Sequence, residues 1–122
     1  MIGYKLLDSS IWVDYFVNGR FKDIIDSDGK SLLATISLIE IRKKLRKLKI
    51  PETEIKDKMS FLKMHSLLVN LDEKVADKAS QLVTEKEMLV ADSIVYASAL
   101  LSNAELLTVD NDFRGLQGAQ VL

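Results

Sequence analysis

The sequence predicts an α/β protein of three layers, in which helices cover both faces of a mostly parallel central sheet of four to five strands. Short apolar runs with little alternation recur along the chain, and such runs are typical of strands buried on both faces. Amphipathic segments with helical spacing separate these runs. Regular alternation of strands and helices indicates a parallel sheet with helical crossovers.

The composition favours one domain over residues 1–122. Of these residues 48% are hydrophobic and 29% are charged, which allows one sizeable core but hardly a second. The chain has no cysteine, so disulfides and thiolate zinc sites are excluded, and a reducing cytoplasm is expected. The apolar runs fall short of the roughly 20 residues that cross a membrane, and no leader precedes the first strand. We therefore expect a cytoplasmic protein without membrane contact, whose net charge of -1 still permits a local basic patch.

The first third of the chain predicts a strand and two helical segments. A strand over residues 2–7 ends in Asp8-Ser9-Ser10, where either serine can cap the next helix. Asn18-Gly19 is a stop signal for that helix. Residues 21–25 predict a further helical turn, and residues 26–29 a loop turn.

The middle of the chain predicts a strand over residues 31–35 and two long helices. The second of these helices begins at Pro51, because the first helical turn does not need the missing N–H. Apolar residues at three- and four-residue steps mark the inner faces, namely Leu38, Ile41, Leu45 and Leu48 in the first helix and Ile55, Met59 and Leu62 in the second.

The last part predicts three strands and two helices. The strands cover residues 67–70, 105–108 and 119–122, and the last lies at an edge. Asp72 is the predicted cap of the first helix, and Asp92 lies near the start of the second. The inward residues are Val75, Ala79, Leu82 and Val83 in the first helix, then Ala91, Ile94, Val95, Ser98 and Leu101 in the second.

Four carboxylates are predicted to meet at one rim of the sheet. Asp8 and Asp110 each follow a strand, whereas Glu40 and Asp92 lie in the opening turns of helices that follow the same rim. Such a cluster would raise the pKa of each member and weaken the fold unless a cation neutralised it. Because the ligands are oxygens and the one histidine is distant, Mg²⁺ or Mn²⁺ suits the site better than zinc.

Each acid also has a purely structural interpretation. Ser37 and Glu40 have the spacing of a capping box, and Glu40 could pair with Lys44 one turn on. Asp92 could cap its helix, Asp8 could form a turn, and Asp110-Asn111-Asp112 could be an Asx turn. A calcium-binding EF-hand is excluded, because Arg114 and Val121 occupy positions where that loop needs oxygen ligands.

Four short motifs follow one another along the chain. They are Asp8-Ser9-Ser10 with Trp12, Glu40 in Ser37-Leu38-Ile39-Glu40, Asp92-x-Ile94-x-x-Ala97, and Thr108-x-Asp110-x-Asp112-Phe113. In this order and spacing they resemble the PIN-domain ribonucleases, and within that family the small toxins of the VapBC toxin–antitoxin type. The resemblance runs from the first strand to the last. It implies a PIN-like fold, metal-dependent hydrolysis of RNA phosphodiester bonds, a VapB-like antitoxin as partner, and a homodimer.

The resemblance also implies roles for individual residues. Asp8, Asp92 and Asp110 would hold one or two Mg²⁺ ions, and Glu40 and Asp112 would ligate directly or through water. Which of Asp110 and Asp112 touches the metal stays open. Ser10 or Thr108 would orient a carboxylate or bind a phosphate through the hydroxyl.

A basic run follows Glu40. Six of the eight residues from Arg42 to Lys49 are basic. Arg42, Lys44 and Lys47 are the candidates for contacts with the RNA backbone, since phosphate contacts give affinity without sequence information. The alternative is that this run is only a solvated helix face.

Two other functions compete with the nuclease. A phospho-accepting receiver domain also gathers aspartates around Mg²⁺, but it needs an aspartate after its third strand and a lysine after its fifth. Here the third strand ends at Asn70, and no lysine occurs beyond Lys86, which argues against a receiver. A catalytically silent PIN-like binding module would lack one of the acids, and all are present.

Overall fold

One parallel sheet organises the fold. The computed structural model describes residues 3–27 and 29–122. Its strands are β1 (Lys5–Leu7), β2 (Ser31–Ala34), β3 (Ser66–Val69), β4 (Glu105–Thr108) and β5 (Ala119–Val121). All pairings are parallel, in the order β3-β2-β1-β4-β5, so the predicted fold class is confirmed. Ile2 of the predicted first strand and Asp28 of the predicted turn lie outside the described residues.

Helices connect the strands. They are α1 (Ser9–Asn18), α2 (Lys22–Ile25), α3 (Ile36–Lys47), α4 (Glu52–Met64), α5 (Glu73–Lys86) and α6 (Val90–Leu101), and a 3-10 turn (Asn111–Phe113) follows β4. Within the described parts of the chain, none of them has the length and apolar character needed to cross a bilayer.

The sheet separates two hydrophobic cores. Successive residues of a strand point to opposite faces, so each central strand contributes to both cores. On one face Leu6, Leu32 and Leu106 pack with α5 and α6. On the other face Leu7, Leu33 and Leu107 pack with α1, α3 and α4. Burying each leucine contributes roughly 1.5–3 kcal/mol, and together these contacts fix the three layers.

Three helices begin at residues other than those predicted. Helix α1 begins at Ser9, with Asp8 in the preceding capping position, so neither serine caps it from outside. Helix α3 begins at Ile36, which places Ser37 inside the helix, where its hydroxyl is fully buried and has no hydrogen-bond partner among residues 3–27 and 29–122. The capping box of Ser37 and Glu40 is therefore not formed. Pro51 precedes α4 rather than standing in its first turn.

The predicted inner faces hold in helix centres and fail at helix ends. Leu48 and Leu101 are 45% and 48% exposed, because each lies at the C-terminal end of its helix, beyond the buried segment. Helix α6 is buried all round from residue 93 to residue 99, since it packs on the sheet and α5 packs on α6. This helix thus holds Asp92 on a rigid support.

The N-cap of α5 gives a simple stability test. The Asp72 carboxylate accepts a hydrogen bond of 2.9 Å from the Val75 N–H, as the sequence predicts. We expect Asp72→Ala to lower the free energy of unfolding by about 1 kcal/mol, because a helix donor loses its partner. Urea denaturation measures this loss. Asp77→Ala, at an exposed position inside the same helix, is the matched control, and an equal loss in both variants would contradict the assignment.

Candidate metal centre

The fold brings the predicted acids to the carboxyl edge of the sheet. Asp8 follows β1 and Asp110 follows β4, and these strands are paired neighbours with Leu7 opposite Leu107. Glu40 lies near the start of α3, in one helical layer, and Asp92 lies in the first turn of α6, in the other. The acidic centre, consisting of Asp8, Glu40, Asp92, Asp110 and Asp112, therefore sits between the two layers.

Two hydroxyl groups hold the Asp8 carboxylate. Asp8 is only 5% exposed. The Ser10 hydroxyl donates to its Oδ2 at 2.7 Å, and the Thr108 hydroxyl donates to the same oxygen at 2.8 Å. Within the described chain no residue donates a hydrogen bond to Oδ1. One carboxylate oxygen is thus fixed by the protein, and the other is left for a different partner.

Backbone N–H groups orient the two hydroxyls in turn. Because each hydroxyl gives its single proton to Asp8, its oxygen accepts from elsewhere. The Val109 N–H donates to the Ser10 hydroxyl at 3.1 Å, and the Asp110 N–H donates to the Thr108 hydroxyl at 2.9 Å. This network connects residues about one hundred positions apart, and through Thr108 it links the backbone of Asp110 to the carboxylate of Asp8.

Three carboxylates form a compact group. Oxygens of Asp92, Asp110 and Asp112 all lie within 4.8 Å of one another. The Asp112 N–H donates to Asp110 Oδ1 at 2.9 Å, so the predicted Asx turn is present and brings Asp112 next to Asp110. Since opposite ligands of Mg²⁺ lie about 4 Å apart, this group needs little adjustment to share one ion.

Glu40 is electrostatically strained in this centre. Burial, more than any other cause, raises the pKa of Glu40 from 4.5 to about 7. The negative charges of Asp8, Asp92 and Asp110 raise this pKa further, whereas the Ser9 hydroxyl lowers it. Its Oε1 is buried without a hydrogen-bond partner among the described residues. The carboxylates of the acidic centre therefore carry negative charge that a bound cation would neutralise.

Asp92 shows the same effect. Burial is the largest cause that raises the pKa of Asp92 from 3.8 to about 6, followed by the charges of Asp110, Asp112 and Asp8. None of the ion pairs between described residues involves a member of the acidic centre. Oxygen ligands with unneutralised charge are the donor chemistry that suits a hard divalent cation.

These shifts predict the pH dependence of the metal-free protein. Between the unfolded-state and folded-state pKa values, 4.5 to about 7 for Glu40 and 3.8 to about 6 for Asp92, the folded chain binds more protons than the unfolded chain. Stability must then fall as pH rises through this window. We expect a loss on the order of 1–3 kcal/mol between pH 5 and pH 8.

Urea denaturation in EDTA at several pH values measures this slope. Glu40→Gln should reduce the slope to the part contributed by Asp92, because glutamine carries no titrating proton. An unfolding midpoint that rises from pH 5 to pH 8 would contradict the assignment of charge strain to the acidic centre.

A groove leads away from the acidic centre between α1 and α3. Its volume is about 750 Å³, and its walls include Ser10, Glu40, Lys44 and Lys47. Arg42, the remaining residue predicted to contact RNA, instead lies toward α4 and pairs with Glu52 at 3.3 Å. The structure therefore places two of the three predicted basic residues in the same groove as Glu40.

Sequence reasoning missed other residues of this groove. Lys43 lines it as well, and its spacing of three from Glu40 on a helix was the available signal. Arg20 also contributes, held by Asp14 at 2.7 Å, and no pattern in the sequence indicated that pair.

The fold and its edge define a class of protein, a three-layer α/β domain that gathers carboxylates where the central parallel strands end. The chain matches the PIN domain family over residues 5–118. It therefore belongs to the PIN domain family, as its motifs indicate, and the receiver alternative is excluded. A search of curated protein sequences found no match.

Solved structures share this fold. A chain of a toxin–antitoxin complex from Klebsiella pneumoniae aligns with a TM-score of 0.80 and 23% identity, over 95% of each chain. VapBC2 from Rickettsia felis, bound to a DNA fragment from its promoter, aligns at 0.78 with 15% identity, over 96% of this chain and 97% of that one. VapC20 of Mycobacterium tuberculosis, a toxin that cleaves the sarcin–ricin loop, aligns at 0.75 with 11% identity, over 93% and 95%.

Proposed function

We propose that this PIN-domain protein is a Mg²⁺-dependent endoribonuclease and the toxin of a toxin–antitoxin pair. The acidic centre carries the proposal, because Asp92, Asp110 and Asp112 present three oxygens within 4.8 Å and lack a cationic partner among the described residues. The similarity in fold to an RNA-cleaving toxin supports the same activity.

The residues present fit a bound Mg²⁺ or Mn²⁺. Asp92, Asp110 and Asp112 would hold the ion, and Asp8 and Glu40 would complete the donor set directly or through water. The unpartnered Oε1 of Glu40 and the open Oδ1 of Asp8 support these two assignments. When bound, such an ion lowers the pKa of a coordinated water and offsets charge on the phosphoryl oxygens.

The rest of the site positions the reactants. Ser10 and Thr108 fix the Asp8 carboxylate in one orientation, which a reaction sensitive to ångström-scale displacement requires. Lys44 and Lys47, exposed along the groove, bind phosphates of the substrate on their way to the acidic centre.

The proposed partners are an antitoxin of the VapB kind and a second copy of this chain. Two of the structural neighbours come from toxin–antitoxin structures, which supports an antitoxin. A segment of that antitoxin carrying an arginine would neutralise the acidic centre by a charge-assisted contact.

A cleavage assay tests the activity. Purified protein should cleave total RNA in Mg²⁺, lose this activity in EDTA, and regain it when Mg²⁺ or Mn²⁺ is added in excess. The product of the neighbouring open reading frame should copurify with the protein and suppress cleavage. Cleavage that persists in EDTA, or no cleavage under any of these conditions, would refute the proposed mechanism.

A further inference from the structure

We infer that the RNA strand crosses the acidic centre from one helical layer to the other, and that separate sets of cations bind the phosphates on the two sides of the cut. Lys43, Lys44 and Lys47 form the first set, and Lys86 and Arg114 form the second. This inference rests on the proposed nuclease function and specifies how the substrate lies in the site.

The first set belongs to the groove between α1 and α3. Its three lysines are exposed, and in the described residues none of them forms an ion pair. Val13, Val17 and Val109 add apolar surface to the same groove. A cationic rim beside an apolar wall suits a single strand, whose phosphates and bases then have different contacts.

The other face of the basic run is different. Arg42 and Arg46 both pair with Glu52 of α4, at 3.3 and 3.5 Å. They line a separate depression between α3 and α4 that includes no member of the acidic centre. The helical period therefore places Lys44 and Lys47 on the groove side, whereas Arg42 and Arg46, which are partly neutralised, lie on the α4 side. Lys43 lies between them and lines both depressions.

The second set lies on the opposite side of the acidic centre. A cavity of about 500 Å³ lies there, and its lining includes Lys86, Glu87, Leu89, Asp92, Asp112 and Arg114. The Arg114 guanidinium donates to the Asn111 side-chain oxygen through Nη2 at 2.8 Å and through Nε at 3.2 Å. This neutral partner orients the guanidinium without cancelling its charge, so Arg114 is preorganised to bind an anion.

The groove and the cavity are bordered by helices from opposite layers of the fold. Helices α1 and α3, which form the groove, pack on one face of the sheet, whereas α5 and α6, which border the cavity, pack on the other. Glu40 lines the groove and Asp92 lines the cavity, so the acidic centre joins the two. A strand bound in both must pass over the carboxylates, which makes the cut internal.

Truncated substrates test this path. Once the cleavage site of the wild-type enzyme is mapped, kcat and KM are measured in Mg²⁺ on an RNA oligonucleotide spanning the site and on versions shortened on either side. On the full oligonucleotide, Lys44→Gln/Lys47→Gln should lower kcat/KM roughly tenfold or more, mainly through KM, and the salt dependence of log KM should weaken by about 0.7 per lost phosphate contact. Arg114→Gln should act in the same direction through one contact.

The decisive result is which variant loses its defect when the RNA is shortened on a given side of the cut. Shortening one side should make the lysine double variant equivalent to wild type, and shortening the other side should do so for Arg114→Gln. Arg42→Gln/Arg46→Gln, with the same charge change on the same helix, is the control and should stay within about twofold. Circular dichroism verifies that each variant is folded.

Two results would overturn the path while leaving the nuclease intact. One is that the defects of the lysine double variant and of Arg114→Gln disappear on the same shortened RNA, or persist on both shortened RNAs, while the enzyme still cleaves RNA in a Mg²⁺-dependent manner. The other is normal cleavage by both variants with weakened binding of the antitoxin only. A wild-type protein without EDTA-sensitive cleavage would refute the proposed function itself.

Discussion

Replacing Asp92 by asparagine should abolish RNA cleavage and at the same time stabilise the metal-free protein. The activity should fall at least about a hundredfold, because a bound divalent ion supplies several kcal/mol of charge stabilisation and each 1.36 kcal/mol is tenfold in rate. Asp92 is one of the three carboxylates that lie within 4.8 Å of one another. The substitution replaces this proposed metal-binding carboxylate by an amide of nearly the same shape.

The gain in stability has a separate origin. The pKa of Asp92 is raised to about 6, chiefly by burial, so at pH 8 the folded protein holds a charge that its surroundings disfavour. Asparagine removes that charge, and we expect a gain on the order of 1–2 kcal/mol in EDTA. Added Mg²⁺ should stabilise the wild type and have little effect on the variant, since a ligand stabilises only the state that binds it.

Thermal unfolding at pH 8, with EDTA or with Mg²⁺, measures both effects beside the cleavage assay. Asp77→Asn is the matched control, because it makes the same change at an exposed position of α5 and should alter neither activity nor the response to Mg²⁺. If Asp92→Asn kept full activity, the proposed ligand set would be wrong.

Replacing Thr108 by valine should have the second largest effect. Valine keeps the shape of threonine but removes the fully buried hydroxyl that donates to Asp8 at 2.8 Å and accepts from the Asp110 N–H at 2.9 Å. We expect a loss of about 1–3 kcal/mol in the free energy of unfolding, because the buried Asp8 carboxylate loses a donor and the partly buried Asp110 N–H loses its acceptor. Cleavage should fall as well, since the Thr108 hydroxyl no longer holds Asp8 and Asp110 in position relative to each other.

Thr108→Ser distinguishes the hydroxyl from the packing. Serine restores both hydrogen bonds and should recover most of the activity, although it lacks one methyl group. Urea denaturation and kcat/KM on one RNA oligonucleotide provide the two measurements. Equal activity in the valine variant and the wild type would show that Thr108 does not position the carboxylates.

The sheet could be predicted from sequence because its strands are short apolar runs bounded by polar residues. Asp72 was recognisable as a cap, and Asn18-Gly19 as a helix end, since Gly19 adopts a φ of 69° there. The start of α3 could not be found in this way. The pattern of Ser37 and Glu40 fits a capping box locally, but tertiary packing buries Ser37 inside the helix and leaves Glu40 for the acidic centre.

The acids of the site were predictable for a topological reason, since parallel strands end at a common edge. Their surroundings were not. Periodicity shows which lysines of α3 share a face, but it does not show that this face borders a groove or that Glu52 neutralises the other one. Arg114 was considered only as an obstacle to a calcium loop, whereas its position beside Asp112 depends on the turn after β4.

The pairing of β1 with β4 also determines when this site can exist during synthesis. The hydrogen bond from Thr108 to Asp8 spans 100 positions of the chain, so the site has very high contact order. A nascent chain that has not yet reached residues 105–110 contains Asp8, Glu40 and Asp92 but has no strand to join them. The acidic centre therefore cannot assemble until those residues have been synthesised and the loop between the two strands has closed.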